Sequence, residues 1–516
     1  MSKSKIVCTD PRIGVLMNNY LFLIRKVINN SVLAIFSSLL GITVICALRS
    51  ENFYLSNVSA RIFLLPLIIC CYLLVLKSHR LRGFFSTNKL LILSVIMCIL
   101  IIIFQFTLVY RTHPVIGFDV YAFHRYIVDN VRDNAIYFSY YPNNLLLLLL
   151  QKGYLTLTNS INDYFLSLDI LNIILVDISA IINIIAIYIY DKSKALIGTW
   201  INMVWLLLFP MIIIPYSDTV VLPFVSLLLL MYVVIIKSSN IYLKIISIII
   251  LGCVTSFIYF LKPSSIIPFI AICVMGILKI RKLKIKNVLL MLLLAVSLCS
   301  SYAIIKIGLN SQDYIKIDAN YKMPMTHFIE MGMKGQSGSY DQASVDAMKS
   351  SNKKKKEKYI KSHIKETLTN RGWLGYIKFL LTKQGYNTAD GTFGWLKEGN
   401  FIGNSSKDKP NIFKEYLYPD GKYLYDFKFI AQFIWLIGLV ILLLGFNDRR
   451  YFVQVLRLSL IGAFVFLLIF EGGRSRYMIQ FLPAIIMLIT LLWDTSMQNL
   501  KRINDVLFNK ENIISD

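Results

Sequence analysis

The sequence predicts an all-α, polytopic membrane protein of about twelve transmembrane helices, with a short re-entrant helix and two long outer loops. Three observations carry this. Of 516 residues, 56% are hydrophobic and 16% charged, an apolar excess that a soluble globule cannot bury. The apolar residues fall in runs long enough to cross a hydrocarbon core, which takes about 20 residues in a helix. Lys and Arg outnumber Asp and Glu by 54 to 29, a formal charge of +25, and the excess gathers in the short polar stretches between alternate runs, as the positive-inside rule requires.

The runs lie near residues 33–48, 61–77, 89–109, 170–190, 195–214, 219–236, 241–261, 264–280, 286–306, 428–446, 451–470 and 477–493. The stretch before residue 33 carries Arg25 and Lys26 and no small-residue cleavage pattern, so the first run is expected to stay as an anchor. With the N-terminus in the cytoplasm, the inner segments hold 23 Lys and Arg against 7 acids, and the short outer connections hold five Lys or Arg. Lys77-Ser-His-Arg80-Leu-Arg82 and Lys279-Ile-Arg281-Lys282 fix this polarity, with both termini cytoplasmic. The basic charge thus signals topology, and a nucleic-acid partner is not expected.

The chain then divides into an N-terminal transmembrane region, 1–306, containing a first outer loop at 110–169, an outer loop at 307–427, and C-terminal helices and a cytoplasmic tail at 428–516. In the first loop, Tyr141-Pro142-Asn143-Asn144 precedes six leucines, a stretch too short to cross but suited to a re-entrant or interfacial helix begun by proline and capped by asparagine. The second loop carries the Lys353–Lys358 run, an amphipathic stretch around Trp373 and Tyr376, and a Gly/aromatic segment at Asp390-Gly-Thr-Phe-Gly-Trp395. It reads as a lid with surface helices. Of the eight cysteines only Cys8 lies outside an apolar run, and none has metal-ligand spacing. No metal site is indicated, although a divalent ion is not excluded, and no nucleotide-binding motif appears.

Charged groups at the membrane surface or within it are costly unless paired or hydrated, which makes each a candidate for function. Arg111, His113, Asp119, His124 and Arg125 crowd the outer mouth of the third run; a wet loop with an N-capping aspartate is the plainer reading. Tyr216-Ser217-Asp218 forms a tight outer turn, and Asp218 suits either a helix cap or a cavity. Glu471-Gly-Gly-Arg474-Ser-Arg476-Tyr477 and Lys262-Pro263 put cations where the topology rule disfavours them, and arginine there suits a phosphate because its planar fork donates two parallel hydrogen bonds. Headgroup anchoring, or pairing of Glu471 with Arg474 or Arg476, would also account for them. Asp177, inside the fourth run, is expected to be hydrogen-bonded and structural.

Gly117-Phe118-Asp119 in the first outer loop, Tyr141-Pro142 after it, Tyr216-Ser217-Asp218 in a later outer turn, and Arg474-Ser-Arg476-Tyr477 entering the last run resemble, in order and sidedness, the GT-C superfamily of polytopic glycosyltransferases. The bacterial relatives of protein O-mannosyltransferases and the lipid A aminoarabinose transferase are the nearest in layout. The chain differs in placing two runs ahead of 89–109 and its large loop late. The resemblance implies an inverting transfer of sugar from a polyprenyl-phosphate donor to an outer-face acceptor. In that scheme Asp119 is the catalytic base, Asp218 orients the acceptor or holds the base, and Lys262, Arg474 and Arg476 receive the donor phosphate. His113, His124, Arg125, Tyr216, Glu471 and Tyr477 line the substrate pocket.

The expected partners are the lipid donor, an envelope glycopolymer, lipid or protein as acceptor, and membrane lipids. The setting would be a bacterial cell membrane, since the abundance of Lys, Ile and Asn fits an AT-rich genome. A lipid-linked saccharide flippase or transporter, or a polysaccharide polymerase or ligase, would share many of these features.

Overall fold

The computed structural model describes residues 11–53, 88–131, 135–279, 284–348, 353–398 and 411–508. The expected span at 61–77 lies outside them. Among the described residues the regular elements are all helical, and nine helices are long and apolar enough to cross a membrane. They are α1 (Pro11–Leu48, continued by Glu51–Phe53), α2 (Asn88–Thr112), α6 (Tyr164–Tyr190), α8 (Leu222–Lys237), α9 (Ile241–Leu261), α11 (Ile285–Ser311), α16 (Leu424–Leu444), α17 (Tyr451–Phe470) and α18 (Leu482–Phe508). The chain is a multi-pass membrane protein.

Two further expected spans take other forms. The run at 264–280 is the shorter apolar helix α10, Ile267–Lys279, led in by a 3-10 turn at Pro263–Ile266. The run at 195–214 is broken. Helix α7 (Ala195–Leu207) stops before Pro210, whose ring disfavours helix in the preceding residue and supplies no N–H. Residues 209–214 are buried, so the freed backbone groups cannot reach water, and in an apolar medium each must find a protein partner. Asn172 on α6 provides one, its amide donating to the carbonyls of Met211, Ile212 and Ile214 at 3.0, 3.1 and 3.3 Å. Gln151 donates to Pro215 O at 3.2 Å. The break thereby sets the position of the turn at Tyr216-Ser217-Asp218.

Helix α18 is the most buried of the spans and packs chiefly against α16 and α17, whereas α11 is exposed along most of its length and packs on α9. That contact is close because Gly252 leaves room for Ser297, while Ser256 donates to Leu298 O at 2.8 Å. Buried polar side chains bind the spans elsewhere. Gln432 on α16 donates to Ala47 O and Ala389 O, and its oxygen accepts from Asn52 and from Gly391 N. Arg457, wholly buried on α17, donates to Gly445 O and Asp448 O and so satisfies the carbonyl end of α16. Asp177 accepts from Gln105 at 3.1 Å, a structural pairing of α6 with α2.

The connections after α2, α9, α11 and α17 meet at one end of the bundle. The first holds α3 (Phe118–Ile127), α4 (Ala135–Tyr140) and α5 (Leu145–Leu157). Helix α5 is too short to cross and buries Leu145, Leu147, Leu148, Gln151 and Leu155. Asn144 does not cap it; its amide donates to the Tyr137 hydroxyl at 2.7 Å. The long loop holds α12 (Met325–Met333), α13 (Gln342–Met348), α14 (Lys353–Thr388) and α15 (Ile412–Leu417). Helix α14 kinks at Gly372, where φ is +62°.

Beyond the kink, α14 is more than a surface lid. Phe379, Lys383, Gln384, Asn387 and Thr388 are buried, and Gln384 and Thr388 meet Thr43 of α1 at 3.1 and 2.8 Å. The segment after it seats on α16 because Gly391 has no side chain: a Cβ there would lie 2.5 Å from that of Trp435 and 2.7 Å from Ala431 O. Gly391→Ala is expected to destabilise the protein by about 1–3 kcal/mol, the usual cost of overpacking a tight contact. Thermal unfolding in detergent against wild type reads this out, and an unchanged transition temperature would refute it.

Candidate functional site

A cavity of about 1560 Å³ opens where the loops meet the bundle. It draws residues from α3 and α4, the Tyr216–Asp218 turn, the end of α9, the loop around α12 and the segment Glu471–Tyr477. Asp119, Tyr216, Asp218, Lys262, Glu471, Arg474, Arg476 and Tyr477, expected to act together, all line it. His113, His124 and Arg125 do not. His113 and Arg125 are exposed, and the His113 ring faces Val109 O at 3.1 Å. His124 stacks on Tyr121 and Phe165, 3.5 Å from Asp129, and burial pushes its imidazole below the ordinary value.

Local backbone places the charged groups. Lys262 ends α9 in an extended conformation, φ −155°, as a residue before proline prefers. Ser264 and Ser265, in the turn that follows, both donate to Gln480 Oε1 at 2.7 Å and fasten it to the last span. Arg474 is likewise extended, ahead of the 3-10 stretch Ser475–Phe481. Lys262 Nζ then lies 2.8 Å from Asp218 Oδ1, and Arg476 Nε lies 3.6 Å from Asp218 Oδ2. Asp218 is wholly buried; it makes no cap hydrogen bond and sits between two cations.

The second counter-ion is Glu398. Its carboxylate accepts from Arg476 Nη1 at 2.7 Å and, more distantly, from Arg474 Nη1 at 3.5 Å. Glu398 and Arg476 are buried, whereas the Arg474 side chain keeps 39% of its surface accessible. The Arg476 guanidinium also lies 4.0 Å from the Tyr216 ring and 4.9 Å from that of Tyr477, cation–π contacts strengthened by desolvation. Glu471 pairs with neither arginine. Burial pushes its carboxyl up, and Lys262 opposes that shift. Lys262 and Arg476 are therefore neutralised from within, and Arg474 is the most available of the three cations.

Asp119 occupies the first turn of α3 without capping it. The residue before it, Phe118, is held at φ +49°, a conformation costly for a bulky side chain and characteristic of functional sites. The Phe118 ring lies 5.7 Å from the Arg474 guanidinium. The Tyr137 hydroxyl is hydrogen-bonded to Asp119, and Tyr137, Tyr141 and Tyr216 are all pushed well up by burial and by the Asp119 charge. Tyr137 thus stays protonated as a donor to the carboxylate, with Tyr141 and Tyr216 beside it in the cavity wall. Glu398 and Tyr137 carry no sequence signal of their own, and Tyr141, read there as the start of the re-entrant helix, proves also to line the cavity.

Beside the cavity, Glu330 on α12 holds Lys334 at 2.9 Å, His363 at 3.4 Å and His327 at 3.6 Å. His327 is buried and does not line the cavity, though its neighbours Thr326 and Phe328 do. Lys383 on α14 donates to Gly332 O and Leu468 O, tying this loop to α17. No group of three or more His, Cys, Asp or Glu suited to a metal ion occurs among the described residues.

Residues 24–497 match a family described as a conserved hypothetical integral membrane protein, and the chain belongs to that family. No curated protein and no solved structure matches the chain.

Removing one partner of a buried ion pair strands the other, at a cost of about 3–5 kcal/mol. Arg476→Met is expected to fall in this range, and Arg476→Met combined with Glu398→Gln to recover part of the loss; thermal unfolding of the single and double variants checks it, additive losses being the contrary result. Desolvation pushes Lys383 down to about 8, against about 10.4 in an unfolded chain. Between those values the unfolded chain binds more protons, so stability rises with pH across the window and sits at its lower level beneath it. Lys383→Met should flatten the rise in transition temperature between about pH 8 and 10.4 relative to wild type.

Proposed function

We propose that this protein is an inverting glycosyltransferase that moves a sugar from a polyprenyl-phosphate donor to a cell-envelope acceptor on the outer face of a bacterial membrane. The observation that carries the reading is the junction at Phe118-Asp119: a strained backbone presents a carboxylate to the cavity while the adjoining ring meets Arg474. A base and a cation for a leaving phosphate thus share one mouth.

The chemistry follows from those positions. Asp119 takes the proton of the acceptor hydroxyl as its oxygen attacks the anomeric carbon. The bond from that carbon to the phosphate oxygen breaks on the opposite side, and its electron pair leaves with the lipid phosphate, which Arg474 stabilises. Inversion results from the single displacement. Lys262 and Arg476 support this charge while Asp218 and Glu398 hold them, which gives Asp218 a positioning role. Orientation in the membrane rests on the far end of the bundle, where Lys192, Lys194, Lys237, Lys279 and Arg450 gather; the positive-inside rule assigns that end to the cytoplasm.

The test is transfer by purified protein from a synthetic short-chain polyprenyl-phosphate sugar. Asp119→Asn, correctly inserted, should lower kcat by about 10²–10⁴, and Arg474→Ala by about 10²–10³. Normal turnover by the Asn form would remove the proposed base. Movement of a labelled lipid-linked sugar between leaflets without bond cleavage would replace the reading with a flippase.

A further inference from the structure

The cavity extends beyond the charge network, to residues that the transfer chemistry does not use. Lys322, from the loop before α12, and Lys353 and Lys356, from the start of α14, line it as well. Lys356 is 1% exposed, and its ammonium donates to the carbonyl of Asn320 at 2.8 Å. Among the described residues no carboxylate lies within ion-pair distance of Lys322, Lys353 or Lys356. The contrast with the other pole of the cavity is sharp, for there Lys262 and Arg476 have carboxylates in contact. A buried ammonium that carries only a carbonyl partner is costly, and an anion entering the cavity relieves that cost.

We propose that Lys322, Lys353 and Lys356 form an anion-binding subsite for the acceptor, which is therefore an envelope polymer bearing phosphate or carboxylate groups. This rests on the transferase reading above and names its acceptor class. Glu357 also lines this part of the cavity, so the three lysines leave a net positive pole. Burial lowers the Lys356 ammonium, and Asp318 opposes the shift. Lysine is a point charge without a fixed fork, suited to a flexible chain whose anionic groups arrive in varied geometries.

Two features favour a polymer over a lipid headgroup. The lysines stand on the long loop, where Ile360, one turn beyond Lys356, packs with Tyr140, Met323, Val345 and Met348 of other loop elements and with no spanning helix. The cavity, at about 1560 Å³, also exceeds the roughly 300–1,000 Å³ of a pocket for one small molecule, leaving room for a donor sugar and several acceptor units together.

The experiment measures binding of fluorescently labelled poly(glycerol phosphate) and polygalacturonate oligomers to the full-length protein in detergent, with neutral dextran oligomers as control. Either polyanion should bind with an affinity that falls as salt rises, and dextran should not. Lys322→Gln/Lys353→Gln, which changes two exposed side chains, should weaken polyanion binding several-fold, and adding Lys356→Met at least tenfold. Wild-type protein that binds either polyanion but fails the transfer assay sinks the transferase reading and spares the subsite. Equal binding of dextran and polyanion, or no loss in the lysine variants, overturns the proposal. So does a lysine dependence seen with phosphatidylglycerol nanodiscs but not with the oligomers, since the lysines would then be reading the membrane.

Discussion

The pairing of Asp218 with Lys262 and Arg476, extended through Glu398, is the interaction on which the loop end of this molecule depends. It joins four segments remote in sequence: the turn after the broken helix, the end of α9, the entry to α18, and the polar stretch after Trp395. Desolvating such charges is expensive, and they hold together because each acid faces a cation and because aromatic rings of Tyr216 and Tyr477 flank the guanidinium. The same arrangement divides labour among similar residues. Arg476 is structural cement, while Arg474, two positions earlier and at the rim, remains able to meet an incoming anion.

A second constraint runs through the spans, where water cannot complete a broken backbone pattern. The chain meets it each time with a long polar side chain. Asn172 serves the carbonyls freed at Pro210, Gln432 joins α1 to the segment around Gly391, and Arg457 closes the end of α16. These residues fix where irregular backbone is tolerated, and two of those places deliver the acids that hold the cavity's cations: Asp218 follows the Asn172 break and Glu398 follows the Gly391 contact.

Hydropathy made the spans legible, because a run of apolar residues has one stable solution in a bilayer. The break at Phe209-Pro210 was written in the sequence too, but a window of about 20 residues averages across a single proline. The candidate site was legible where its residues flank a span, as with Asp218, Lys262, Arg474 and Arg476. Glu398 was not, since it sits 78 residues from Arg476 in a stretch with no local signal. His124 and Arg125 misled for the opposite reason: they adjoin Asp119 in sequence, but α3 turns Arg125 to solvent and His124 onto Phe165.

Helix α11 has a consequence for the height of the whole assembly. Its 27 residues make a rod of about 40 Å, some 10 Å more than the hydrocarbon layer it crosses. It shares a wall only with α9 along most of its length, so neither packing nor a kink takes up the excess. The rod must lean, or lift its last turns among the headgroups. In the second case Ile304 and Ile307, both largely exposed, become a post at the interface, and the long loop begins above the lipid.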